Sequence, residues 1–295
     1  MNLIEMSLSG AIIIAVVIIV RSLWVYKLPK KTFLILWLLV LCRLLIPISV
    51  PSPFNFITLP IAQPAQTFEE IPFVPPVVIL SEESAQDVGL NLSPSPNTAP
   101  TSIEAHQNTI NPLAIIWVFG AIIFAAFFIF MYRRHYNNFK HSSVPENSEF
   151  IRNWLANHKL KRPIEIRTSS KIASPLTYGI LRPVILLPMG CLDDEELSLI
   201  LAHELVHIKR FDTLSKLIAV ATLCIHWFNP LVWAMFYFFN RDIELSCDEA
   251  VIEMSENKKG YALTLINMTA VSNSAVLYNN FSKYAIEERI NAIRK

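Results

Sequence analysis

The strongest constraint on this chain is the segment from Leu214 to Asp242, "LSKLIAVATLCIHWFNPLVWAMFYFFNRD". It is apolar enough to cross a bilayer, yet it separates two polar clusters whose chemistry belongs together. On one side stands "LAHELVHIKR", Leu201–Arg210, and on the other "IELSCDEAV", Ile243–Val251.

On a helix, His203 and His207 lie one turn apart and project from the same face, so two imidazoles can grip one metal ion. Glu204 points to the adjacent sector. Zinc acidifies a water beside it to a pKa of ~7, and a carboxylate placed there can take the proton. A buried helix with two satisfied histidines would account for the same residues, so a third ligand decides the matter. An H-E-x-x-H-x-x-G-x-x-H pattern would need glycine at 210 and histidine at 213, where the chain has Arg210 and Thr213. Glu244 and Asp248, again one turn apart, supply the alternative. Glu244 completes a His-His-Glu zinc set, and Asp248 can hold the ring N–H of a liganding histidine. Glu249 competes for the ligand role, and a solvated acidic face would use the same residues.

If Leu214–Asp242 crossed the membrane once, ~30 Å of hydrocarbon would part His203 from Glu244. Ligands of one zinc ion lie about 2 Å from it. Either the zinc site is false or the segment doubles back. Asn229-Pro230 favours a turn, and Leu217–Trp227 and Leu231–Phe239 are each too short to span. The expectation is a helical hairpin at about 214–239, dipped into the bilayer or packed on other spans. His226 near its tip is expected to be a satisfied turn residue, and Trp227, Trp233 and Tyr237 packing or interfacial aromatics.

Three further apolar runs read as transmembrane helices: Met6–Val20 with its extension to Tyr26, Phe33 to about Ile48 with Arg43 snorkelling, and Leu113–Met131. Residues 51–111 between the second and third contain no lysine or arginine, whereas Arg21, Lys27, Lys30, Lys31 and the "YRRHYNNFKH" segment flank the spans. The positive-inside rule then gives an outside N-terminus, an extracytoplasmic Pro/Ser/Asn-rich loop at 51–111, a third span at 112–132 and a cytosolic domain at 133–295, with residues 1–50 forming two spans. From Ser148 the texture becomes that of a soluble fold. "EFIRNWLANHKL" has helical spacing, "PIEIRTSS" alternates like a strand, and "SPLTYGILRPVILLP" reads as two strands about Gly179–Pro183. Asp193 with Glu196 is a capping box for the helix carrying both histidines. The net charge of +1 argues against a direct nucleic-acid partner. Cys42, Cys191, Cys224 and Cys247 have no C-x-x-C spacing and suggest neither disulfides nor a cysteine zinc site.

"SPLTYGILRPVILLP", "LAHELVHIKRFD", "HWFNPLVW" and "RDIELSCDEAV", in this order after three spans, resemble the integral-membrane zinc metallopeptidases of the bacterial β-lactam sensor-transducer (Bla/Mec regulator) family. The resemblance covers nearly the whole chain. It implies an α-helical membrane protein with an α+β gluzincin-like cytosolic zinc-peptidase domain, in the bacterial cell membrane. It also implies one zinc ion on His203, His207 and Glu244, with Glu204 as general base. Site-specific proteolysis in transmembrane signalling is implied too, through self-cleavage and inactivation of a winged-helix transcriptional repressor. Full sensor-transducers continue into a further span and an extracellular penicillin-binding domain, where this sequence stops at "AIEERINAIRK" without an S-x-x-K serine site preceding a K-T-G element. Two other functions fit the sequence less well: a non-catalytic transducer with structural zinc, which would have no use for Glu204 and would want four ligands, and a general membrane quality-control protease. No oxyanion donor stands out among Asn240, Arg241 and His226. Homo-oligomerisation is compatible with the sequence but not dictated by it.

Overall fold

The computed structural model describes residues 3–47, 112–139, 142–143, 148–158, 160, 162–190, 193–255, 257–272 and 279–294. The expected loop at 51–111 lies outside the described residues. Nine helices and three strands follow one another among these residues: α1 (Leu3–Trp24), α2 (Lys30–Leu45), α3 (Pro112–Phe139), α4 (Ser148–Asn157), β1 (Glu165–Ser169), β2 (Leu176–Tyr178), β3 (Val184–Pro188), α5 (Asp194–Arg210), α6 (Asp212–Ile225), α7 (Pro230–Met254), α8 (Lys258–Ser272) and α9 (Asn279–Arg294).

The α1 stripe Ser7, Gly10/Ala11, Ile14, Val17 and Arg21 is buried, and so is Phe33, Trp37, Val40/Leu41 and Leu44 of α2. Both recur at three or four residues, which puts each set on one helical face. The two stripes meet Ala219 and Leu223 of α6 and Val232, Met235, Phe239 and Ile243 of α7 in one core. At Gly10 a Cβ would collide with the Leu44 side chain, so glycine lets α1 and α2 approach closely. The outward faces remain aliphatic, with Leu8, Ile12, Val16 and Ile19 of α1 exposed. Among the described residues α1 and α3 are long and apolar enough to cross a membrane. The second expected span, Phe33 to about Ile48, falls largely on α2, whose 16 residues are short of the ~20 needed to cross unaided.

Helices α6 and α7 form an antiparallel pair joined at His226–Asn229. Asn229 caps α7 by accepting from the Leu231 N–H at 3.0 Å, and Pro230 takes the first turn, where its missing N–H costs nothing. The tip is tied down on both sides. Asn229 Nδ2 donates to Ser7 Oγ of α1 at 2.9 Å, and the fully buried His226 donates from Nε2 to the Leu44 carbonyl of α2 at 3.1 Å. At the other end of the same arm, Asp242 meets Arg21 at 2.8 Å. From Ser7 to Arg21, α1 advances roughly 21 Å at 1.5 Å per residue, so the arm runs alongside most of that helix. Trp227 stacks on Phe124 of α3 at 5.8 Å.

The sheet has the order β1-β3-β2, with β1 parallel and β2 antiparallel to β3. Gly179, at φ 85, opens the connection from β2 to β3, and a Cβ there would meet the Arg182 carbonyl. Ile185 and Leu187 of β3 pack on Leu197, Ile200, Leu201 and Leu205 of α5, with Ile151 and Trp154 of α4 closing the core. Asp193 caps α5, accepting from Asp194 N–H at 3.0 Å. The expected reciprocal partner, Glu196, bonds Asn267 Nδ2 of α8 instead, at 2.9 Å.

Candidate metal centre

Phe211 ends α5 in the left-handed region, at φ 57, and α6 begins with the next residue. That conformation is uncommon for a bulky side chain; the Arg162 guanidinium lies over the Phe211 ring at 3.8 Å. The abrupt turn brings Asp212 back onto α5, where its Oδ2 lies 2.7 Å from His207 Nδ1.

His203 Nε2 and His207 Nε2 face each other at 3.1 Å. Glu244 Oε2, projecting from α7, lies 3.5 Å from the first and 3.7 Å from the second. The partners of the other ring nitrogens fix the tautomers. A carboxylate can only accept, so His207 carries its proton on Nδ1, toward Asp212. Tyr261 Oη donates to Asp248 Oδ1 at 2.7 Å and therefore accepts from His203 Nδ1 at 2.8 Å. With both imidazoles neutral, the two Nε2 atoms and a carboxylate oxygen turn lone pairs on one point, and a proton or a metal cation there removes the repulsion. Bonds of about 2.1 Å in a tetrahedral zinc site put ligand atoms about 3.4 Å apart, so this donor set fits the ion.

The electrostatics agree. Burial disfavours an imidazolium at His203, but Cys247 and Glu244 outweigh it and raise its pKa to about 10. Burial likewise opposes charge on Glu244, yet Lys216 and the two histidines hold it well below the usual carboxylate range. Lys216 Nζ of α6 donates to Glu244 Oε1 at 3.3 Å, leaving Oε2 toward the histidines. The pocket is built to keep positive charge.

Glu204, also buried, accepts from Thr177 Oγ1 of β2 at 2.6 Å. Edge strand and expected base are thereby joined. Both border a cavity of ≈ 2170 Å³ that also touches His203, His207, Glu244 and the apolar residues Ala121, Ala125 and Phe128 of α3.

Of the residues expected from sequence, His203, Glu204, His207 and Glu244 come together here. Asp248 reaches His203 only through Tyr261; its own Oδ1 is 3.6 Å from Nδ1. Glu249 points elsewhere, accepting from the Lys30 N–H at the start of α2 at 2.9 Å. His226 is engaged at the hairpin tip, Asn240 donates to the Phe236 carbonyl at 2.7 Å, and Arg241 donates to the Tyr237 hydroxyl at 2.6 Å. The sequence carries no local sign that Thr177, Asp212, Lys216, Tyr261 or Arg289 of α9 belongs to the site, and the absence of C-x-x-C spacing, which argued against a cysteine at a metal site, does not keep Cys247 from it. Arg289 grips Asp248 through two bonds of 2.7 Å. Cys247, three residues beyond Glu244 on α7, forms with the two histidines a compact His-His-Cys cluster. Its Sγ lies 3.4 Å from His203 Nδ1, at the ring edge that Tyr261 uses. Burial pushes this thiol up, but the facing imidazoles bring it below its ordinary value.

The model of the BlaR1 peptidase M56 family matches residues 1–293. Regulatory protein BlaR1 of Bacillus licheniformis is 29% identical over 154 residues, 48% of this chain and 25% of that protein. The methicillin resistance mecR1 protein of Staphylococcus aureus (strain Mu50 / ATCC 700699) is 26% identical over 257 residues, 84% of this chain and 42% of the relative. The chain thus spans less than half the length of these relatives. With the family pattern running through both histidine and carboxylate halves of the centre, from the first helix to the last, this chain belongs to the BlaR1 peptidase M56 family.

Proposed function

We propose that this chain is a membrane-embedded zinc metalloprotease that hydrolyses peptide bonds on the cytosolic side of a bacterial membrane. The observation that carries this reading is the convergence of His203 Nε2, His207 Nε2 and Glu244 Oε2 on one point, with Glu204 beside it. His203, His207 and Glu244 would hold one zinc ion, and Asp248 supports His203 through Tyr261. When bound, zinc supplies Lewis acidity that polarises the scissile carbonyl and eases deprotonation of the attacking water. Glu204 takes that proton and returns it to the leaving amine, with Thr177 fixing the carboxylate's orientation. The substrate backbone pairs with the edge strand β2, which would present the scissile bond to Glu204.

Charge asymmetry and helix packing support the following membrane arrangement. Residues 1–50 and 112–132 supply the transmembrane helices, with the N-terminus outside and 133–295 cytosolic. The α6–α7 hairpin inserts beside α1 and α2, its tip near the outer ends of both. The short α2 is shielded on one face by α1 and α7. The loop 51–111 is extracytoplasmic. The protease serves transmembrane signalling, by self-cleavage and by inactivating a transcriptional repressor; of the two relatives, one is named a regulatory protein and the other a methicillin resistance protein. The bilayer and that protein substrate are its partners.

The test uses purified full chain in lipid nanodiscs. Wild type binds one zinc per chain and cuts itself or an added repressor, and Glu204→Gln keeps the zinc while losing cleavage. Unchanged cleavage in that variant would refute the assignment.

A further inference from the structure

The ion pairs around the centre continue beyond Asp248. Two consecutive residues of α9, Glu288 and Arg289, serve two different clusters. Arg289 holds Asp248 by its two 2.7 Å bonds and brings Nη1 to 3.7 Å from Glu244 Oε2. Glu288 accepts from Arg21 Nη2 of α1 at 3.0 Å and pairs with Arg241 of α7. Arg21 also bonds Asp242 Oδ1 at 2.8 Å, and Asp242 Oδ2 accepts from Trp37 Nε1 of α2 at 2.7 Å. One turn of α9 therefore stands between the basic end of α1 and the ligand-bearing face of α7.

These contacts are not interchangeable with packing. The side chains of Arg21, Asp242 and Glu288 are 7%, 1% and 12% exposed, so each needs its partner to offset lost hydration. Charges balance within each cluster: Arg21 and Arg241 against Asp242 and Glu288, Arg289 and Lys216 against Asp248 and Glu244. Apolar contacts between helices tolerate sliding and rotation. A forked guanidinium on a carboxylate fixes both distance and azimuth.

We propose that Arg289 is a positioning residue for the metal centre, and that α9 couples the centre to α1 through the neighbouring Glu288–Arg21 pair. This rests on the zinc-protease reading and deepens it by giving the centre an input. Arg289 sets the Asp248 carboxylate, which orients Tyr261 and through it His203, while its third nitrogen limits where Glu244 Oε2 can go. A shift of α1 at Arg21 pulls on Glu288 and so on the turn of α9 that carries Arg289, changing how Arg289 meets Asp248 and Glu244. Both the third ligand and the His203 support then loosen together.

The test measures zinc affinity by chelator competition and the d–d absorption of the cobalt(II)-substituted protein, on the full chain in nanodiscs. Arg289→Gln weakens zinc binding by about 10- to 100-fold and shifts the cobalt spectrum. Arg289→Lys, which keeps the charge without the fork, recovers only part of the loss. Arg21→Gln and Glu288→Gln touch no proposed ligand, yet each weakens zinc by roughly 3- to 10-fold. Arg167→Gln, in a surface pair with Glu165 of β1, changes nothing. Metal-free thermal unfolding identifies any variant that fails to fold, and if Arg21→Gln does so, Glu288→Gln carries the test. Wild-type affinity and spectrum in Arg289→Gln overturn the positioning role, and wild-type affinity in Glu288→Gln overturns the coupling. His203→Ala separates the two levels. If it binds zinc like wild type, the zinc-site reading itself fails; if it loses zinc while Arg289→Gln does not, only this inference fails.

Discussion

The two histidines of α5 are held in contrasting ways. His207 is oriented by Asp212, five residues on, delivered by a single left-handed residue at the α5–α6 junction. His203 is oriented by Tyr261 of α8, which answers to Asp248 of α7, which answers to Arg289 of α9. One support is local and forms whenever the helix turns. The other exists only when three distant helices are docked. A centre supported in this way is complete only in the assembled fold, which places the control of the metal on the remote side.

The most drastic way to sharpen that contrast is to silence the chemistry without disturbing either support. Glu204→Gln should lower peptide cleavage by roughly 10²- to 10⁴-fold at unchanged zinc stoichiometry, checked by single-turnover assays and metal analysis. Next comes stability. Asp248→Ala strands the buried Arg289 charge and should cost about 3–5 kcal/mol in denaturant unfolding of the metal-free protein. Asp212→Ala should cost clearly less, and equal costs would break the distinction between local and remote support. Zinc affinity follows: Tyr261→Phe and Asp212→Asn should each weaken binding by about 10- to 100-fold in chelator titrations. Adding Arg289→Gln to Tyr261→Phe should then cost less than the product of the two single losses, since both act on His203 through Asp248 and only the Arg289 contact with Glu244 is additional, whereas adding it to Asp212→Asn should multiply the losses. The smallest effect belongs to Thr177→Ala. Losing one hydrogen bond worth about 1 kcal/mol should lower kcat/KM roughly fivefold without changing zinc content.

The same division governs what could be read from sequence. The H-E-x-x-H pair, the Glu244 carboxylate four residues before Asp248, the small sheet and the largely helical fold were visible as local patterns. So was the turn at Asn229-Pro230, because proline and a capping side chain act on their immediate neighbours. Asp212 was within reach in "HIKRFD", but only a left-handed Phe211 makes it face backwards, and nothing in a phenylalanine announces that conformation. Tyr261 and Arg289 carry no local signal, since their roles arise from the docking of α8 and α9 on α7. Asp248 shows the boundary well: its residue type and spacing suggested a histidine partner, but the intervening phenol depends on a helix thirteen residues away.

The uninterrupted α7 has a mechanical consequence. Its 25 residues carry the apolar arm at one end and Glu244, Cys247 and Asp248 toward the other, with no break between them. A rod of this kind has no slack: one alanine inserted after Phe239 would turn everything beyond it by about 100° and advance it by about 1.5 Å. The carboxylates would then leave the histidines altogether while the buried arm stayed seated. A rotation of the apolar half passes along an unbroken backbone to the half that carries Glu244, Cys247 and Asp248, so the azimuth of this one helix decides whether those groups face the histidines.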